Sequence, residues 1–158
     1  MARQAHLIGS IGLANAEVAM ITAAEILGPC CTRMPDGETG RRGYWIRWQQ
    51  STFDNCEYLE MEVIDQKLPG FKDSVQRPFY KLRQGIKPSN LNLGELGYAE
   101  EAITSYKLFS KCVDEGKIAP DVRFQVSIPT PMALVCGFVL APDQLKVEPA
   151  IEQAMARD

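Results

Sequence analysis

Three short segments of the chain hold residue types that can do chemistry at close spacing. Gly9-Ser10-Ile11-Gly12 follows a short apolar run and leads toward a helix start at Asn15. The free backbone N–H groups of such a turn can bind a carboxylate or a phosphate. Its spacing is GxxG, not GxGxxG, and it lacks the lysine of a P-loop, so the signal for a nucleotide is weak. A tight turn that needs small residues explains it as well. The stretch Asp36-Gly37-Glu38-Thr39-Gly40-Arg41-Arg42 sets two acids, two glycines and two arginines within seven residues. A carboxylate there can hold a substrate ammonium or act as a general base, and Arg41 or Arg42 can grip a carboxylate or phosphate through two donors. A solvated turn with a surface ion pair accounts for the same composition. Pro129-Thr130-Pro131 is the third segment, just beyond an apolar run.

Other candidate groups read more simply as structure. His6 is the only histidine, and it lies early in the first apolar run. Cys30, Cys31, Cys56, Cys112 and Cys136 make an odd set with no CxxC, CxH or HxxxH spacing. They suit neither a disulfide framework nor zinc, and read as reduced, mostly buried small residues of a cytoplasmic protein. Trp45 and Trp48 suit core or interface packing. Glu57, Glu60, Glu62 and Asp65 suit a solvated acidic face.

The elements that must position these loops alternate. Ala5 to Ser10, Cys30 to Met34, Phe79 to Arg83 and Val122 to Ile128 read as short buried strands. Helices are expected after Asn15, ending at Gly28-Pro29, over an aromatic stretch from Thr39 to about Gln50, and from about Glu95 to Glu115. The last of these carries Ala99, Ala102, Ile103, Tyr106, Phe109 and Val113 as one apolar stripe. Met132 to Leu140 can turn helical, Pro142 to Glu148 reads as a loop, and Pro149 at a first helical position starts a short final helix. Glu57 to Ile64 is open between strand and loop, and Leu68 to Gln76 reads as an irregular connection. This order predicts an α/β fold with about four parallel βα units in a single domain over residues 1–158. Ligands of such folds meet the C-terminal ends of the strands, where the three chemical segments fall.

Bulk properties exclude several classes. With 46% apolar and 23% charged residues the chain is not disordered. Seventeen basic against twenty acidic residues, a formal charge of -3, argue against nucleic acid as a partner. No run of about 18 apolar residues is present, so no membrane helix is expected. At 158 residues the chain is too short for a complete (β/α)₈ barrel of about 250 residues.

Taken together and in order, His6-Leu7-Ile8-Gly9-Ser10, Pro35-Asp36-Gly37-Glu38-Thr39-Gly40, Leu96-Gly97-Tyr98-Ala99 and Arg123 to Pro131 resemble the cobalamin-independent methionine synthase-like group, which shares a superfamily with uroporphyrinogen decarboxylase. The resemblance runs from His6 to about Ala154. It implies the N-terminal half of a (β/α)₈ barrel. By the same resemblance Ile8, Gly9 and Ser10 contact an amino-acid moiety, Glu38 takes its ammonium, Arg41 follows three residues on, and Arg83 stands at the third strand end. Thr130-Pro131-Met132-Ala133 resembles the family's Gly-Pro-Val-Thr turn, but the tryptophan expected soon after falls near Gly137. The family's zinc ligands belong to later strands. No cofactor or metal is therefore expected in this chain, zinc being possible only in a completed barrel.

Two readings of function follow. In the first, the chain binds a small amino-acid-like or carboxylate ligand as part of a transferase or lyase, without independent catalysis. In the second it is a non-catalytic truncated subunit that associates through open sheet edges, as a homo-oligomer or with a complementary half-barrel. A small doubly wound domain binding phosphate at Gly9 to Gly12 is a third option.

Overall fold

The computed structural model describes residues 4–67, 69–70 and 72–158. The chain divides into two compact units, each made of two segments. Unit 1 combines the residues up to Trp48 with Gly97–Ile128, and unit 2 combines Gln49–Leu96 with Pro129–Asp158.

Unit 1 contains α1 (Ala16–Leu27), β1 (Arg33–Pro35), α3 (Tyr98–Asp114) and β4 (Arg123–Gln125). Asn15 starts α1 by accepting the Val18 N–H at 2.9 Å, which satisfies one of the donors a helix leaves unpaired at its first turn. Gly28 ends it. β1 and β4 pair in parallel, with Met34 opposite Phe124. α1 and α3 pack together beside them. The core between them holds Met20, Met34, Phe109, Cys112, Ile118 and Val122.

Unit 2 contains α2 (Gln50–Asp54), β2 (Leu59–Gln66), β3 (Val75–Leu82), α4 (Pro131–Phe138) and α5 (Gln144–Arg157). β2 and β3 form an antiparallel hairpin running from Leu59 opposite Leu82 to Gln66 opposite Val75. The Tyr80 carbonyl accepts the Leu140 N–H, so at Tyr80 the backbone faces away from β2. Pro78, two residues earlier, faces the same outer edge, where its missing N–H takes no bond from the ladder. Phe53, Tyr80 and Phe138 form the centre of the core, with ring centroids 4.5 Å apart for Phe53 and Phe138 and 5.3 Å for Phe53 and Tyr80.

Among the described residues four parallel βα units are not formed: the sheets there are two pairs, one parallel and one antiparallel. The partial barrel expected from the sequence is thereby overturned. Phe79 to Arg83 is the main reason. Only residues 67–74 separate β2 from β3, fewer than the dozen or so a parallel crossover needs, so the segments fold back as a hairpin. Leu68 and Phe71 of the expected irregular connection lie outside the described residues. Ala5 to Ser10 makes one parallel bridge, Ala5 to Cys31, in place of a strand. Thr39 to Gln50 forms short 3₁₀ turns at Gly40–Tyr44 and Arg47–Gln49 before α2. Gln144 already lies in α5, so the expected loop up to Glu148 is helical and Pro149 is inside the helix. The buried face Val147, Ala150, Ile151 and Ala154, spaced i, i+3, i+4, i+7, outweighs the one helical hydrogen bond that proline removes.

Candidate functional site

In unit 1, β1 delivers the chain to Asp36, which is only 5% exposed. A buried carboxylate needs partners, and Asp36 has three. Its Oδ1 accepts the Glu38 N–H at 3.0 Å. Its Oδ2 accepts the Ser105 hydroxyl at 2.5 Å and pairs with the buried Arg42 guanidinium. The Arg42 Nε lies 3.4 Å from Glu101. Glu101 also holds Arg41, through Nε at 3.0 Å and through Nη2. Glu101 and Ser105 are one helical turn apart on α3, so one face of that helix grips the loop at two points.

The grip shapes the turn. Gly37 has φ 80, and a Cβ on it would lie 2.9 Å from the Ala19 side chain, so both the backbone and the nearby α1 demand glycine. Glu38 follows with φ 47, a left-handed conformation that costs a non-glycine residue about 1–2 kcal/mol. In that conformation its carboxylate accepts the Ser10 hydroxyl.

The segment carrying Ser10 is strapped in place mainly by side chains, since its ladder is a single bridge. Gln125 Nε2 donates to the Leu7 carbonyl at 2.8 Å, and the Ser127 hydroxyl donates to the Ile8 carbonyl at 3.0 Å. The Ile11 N–H donates to the Gly37 carbonyl at 2.8 Å. A Cβ on Gly9 would come within 3.2 Å of Ser127 and 3.4 Å of the Glu38 carboxyl carbon. Gly9 thus lets Ser10, Glu38 and Ser127 converge. The Gln125 Oε1 is buried with no hydrogen-bond partner among the described residues. The result is a small cluster of one carboxylate and two hydroxyls, suited to donors that carry positive charge.

Of the residues expected to bind, Gly9, Ser10 and Glu38 come together, with the Ile8 carbonyl beside them and the Ile8 side chain 87% exposed. Arg41 turns to Glu101, its guanidinium 5.0 Å from the Trp48 ring centroid. Arg83 follows β3 in unit 2, where its N–H donates to the Tyr58 carbonyl at 3.0 Å. Sequence reasoning had not singled out Glu101, Ser105, Gln125 or Ser127 for the site. The i, i+4 spacing of Glu101 and Ser105 was the available signal. Of the expected α3 stripe, Phe109 is buried but Ile103 and Tyr106 are exposed, and Tyr98, Ser105 and Cys112 complete the buried face.

Unit 2 has an open cleft of about 650 Å³ lined by Ser51, Asn55, Cys56, Glu57, Asn92 and neighbours. Burial pushes the Cys56 thiol up, as it does those of Cys31 and Cys112, which disfavours their thiolate forms. Among the described residues no group of three His, Cys, Asp or Glu side chains is arranged to hold a metal ion. Among the same residues no helix is long and apolar enough to cross a membrane. Comparison with protein-family models, curated proteins and solved structures finds no match for this chain.

Proposed function

We propose that unit 1 binds a small amino-acid-like ligand by its amine, with Glu38 accepting the ammonium. The observation that carries this reading is Glu38 itself: a non-glycine residue held at φ 47 with its carboxylate against Ser10. Strained backbone at a polar cluster is a mark of a working site. A carboxylate has about four acceptor positions, and the Ser10 hydroxyl occupies one of them, which leaves room for an ammonium. The resemblance of Ile8-Gly9-Ser10 and Gly37-Glu38 to the methionine synthase-like motifs supports the same ligand class. Arg41 is neutralised by Glu101, so the amine end of the ligand is what this cluster reads. No bond-making step is assigned to the chain's own residues; any transferase or lyase role begins from this binding. The free thiols suit a reducing, cytosolic setting.

A charge-assisted hydrogen bond contributes about 1.5–3 kcal/mol and is weakened where water has access. Affinity near millimolar, about 4 kcal/mol, is expected. NMR titration with methylamine, alanine and acetate tests it. The first two are expected to shift residues 8–12 and 36–38, and Glu38→Gln is expected to weaken both. Shifts centred elsewhere, or an unchanged affinity in Glu38→Gln, would sink the reading.

A second reading, association with another chain, is favoured by β4. Its only partner among the described strands is β1, and Val126 and Ile128 just beyond it are more than half exposed. An unpaired apolar edge invites strand addition. Sedimentation at high micromolar concentration is expected to show a dimer that Val126→Lys dissolves; a wild-type monomer there removes this reading.

A further inference from the structure

We infer that Ser105, on α3, is a positioning residue for Glu38, acting through the buried carboxylate of Asp36. The inference rests on the amine-binding reading of the Glu38 site. The Oδ2 of Asp36 is held from two sides, by the Ser105 hydroxyl at 2.5 Å and by Arg42. Those two contacts fix the carboxylate, and its Oδ1 is thereby aimed at the Glu38 N–H, 3.0 Å away. That bond fixes the backbone of Glu38 from one side. From the other, α1 lies so near that a Cβ on Gly37 would come 2.9 Å from the Ala19 side chain. A left-handed non-glycine residue persists only where its surroundings over-determine it, and these are the contacts that do so.

Ser105 sits on the buried face of its helix. It is 6% exposed among Tyr98, Phe109 and Cys112, a face otherwise made of large or apolar groups. A serine in that row brings no packing advantage over alanine; what it adds is a donor. Without the hydroxyl, Oδ2 answers to Arg42 alone, and Arg42 is itself drawn toward Glu101. The carboxylate is then free to tilt, the Glu38 N–H loses alignment, and the Glu38 side chain leaves Ser10.

The experiment compares wild type with Ser105→Ala and Ser105→Thr. Three readouts are taken: the Glu38 amide proton shift, its exchange rate, and methylamine affinity. In Ser105→Ala the Glu38 amide is expected to move upfield and exchange about tenfold faster, as for an opened local hydrogen bond, while α1 amides stay unchanged. Methylamine is expected to bind about fivefold to tenfold more weakly, and Ser105→Thr to restore all three readouts. A Ser105→Ala protein that is less stable, yet keeps the wild-type Glu38 amide and methylamine affinity, overturns the inference. If Ser105→Ala does not fold, Ser105→Cys, close in volume with a weaker donor, is read by the same criteria. Should wild type bind no methylamine, the amine-binding reading fails, while the Glu38 amide still decides the positioning claim.

Discussion

In unit 1, α3 turns Ser105 inward to a buried carboxylate; in unit 2, β3 turns Tyr80 inward against Phe53 and Phe138 and extends only its hydroxyl to Asp54, at 2.6 Å. Both are hydroxyl-to-carboxylate contacts, but their settings differ. Asp54 is exposed, so water can replace Tyr80 there at small cost. Asp36 is buried and charged, so each of its partners is needed. The same contrast runs through the sheets. The parallel pair of unit 1 spans three residues, and side chains finish its fastening. The antiparallel hairpin of unit 2 pairs eight residues along each strand. Both units have an apolar core; unit 2 adds a long ladder to it, whereas unit 1 adds buried polar contacts that also shape a candidate site. The lesson is that the less economical way of building an interior lies where ligand chemistry is proposed.

Core truncation gives the largest expected effects. Phe138→Ala removes a fully buried ring stacked on Phe53 and is expected to cost about 3–5 kcal/mol, read by chemical denaturation. Hydrogen exchange should quicken first in α4 and β3. Arg42→Ala is expected to cost a similar amount, about 3–5 kcal/mol, because it leaves Asp36 as a buried charge without its cation. Its exchange signature should instead begin at residues 36–42. Equal effects of both variants on all amides would erase the contrast between the units.

Glu38→Gly sharpens it from the other side. Relief of the left-handed backbone is expected to raise stability by up to about 1 kcal/mol while methylamine binding is lost. A destabilised Glu38→Gly protein would show that the turn is not strained. The pH response should separate the units further. Burial, and then the hydrogen bond to Asp54, push the Tyr80 phenol above its usual 10.0. The unfolded chain therefore ionises first, so this contribution is intact below about pH 10 and is lost as pH rises past it. Tyr80→Phe should flatten the alkaline limb of a stability profile; an unchanged limb would assign it to another group. At the acid end, the Lys146 ammonium first, and the Leu82 N–H as well, hold the Asp143 carboxyl below its usual range. Its contribution is present above that range and fades as pH falls through it, so Asp143→Asn should shallow the acid limb. The smallest effect is expected for Lys117→Ala: its ion pairs with Glu17 and Glu115 are exposed, and the denaturation midpoint should not move measurably.

Local signals were legible in the chain because their causes are local. Asn15 caps α1 and Gly28 ends it through bonds within one turn of the helix. Gly116 follows α3 within two residues, and Val122 to Ile128 contains β4. The meeting of Ser10 and Glu38 was also within reach, through two motifs read as one set. Arg41 was harder. Its place in the loop was plain, but its choice of Glu101 depends on which face α3 turns to that loop.

What the sequence determined by itself is where α1 starts and stops, where α3 ends, and which loops carry charge. These follow from capping, backbone freedom and side-chain type, which act over a few residues. Only the tertiary structure decided strand partners and helix rotation. Phe79 to Arg83 has the composition of a buried strand in either arrangement; a connection too short for a crossover made it half of a hairpin. Ile103 and Tyr106 fit an apolar stripe as well as Ser105 breaks one, yet Ser105 is inside. The reason is energetic: the face that carries Phe109 and Cys112 packs into the core, and Ser105 on that face meets a buried carboxylate 69 positions away in the chain, which requires donors.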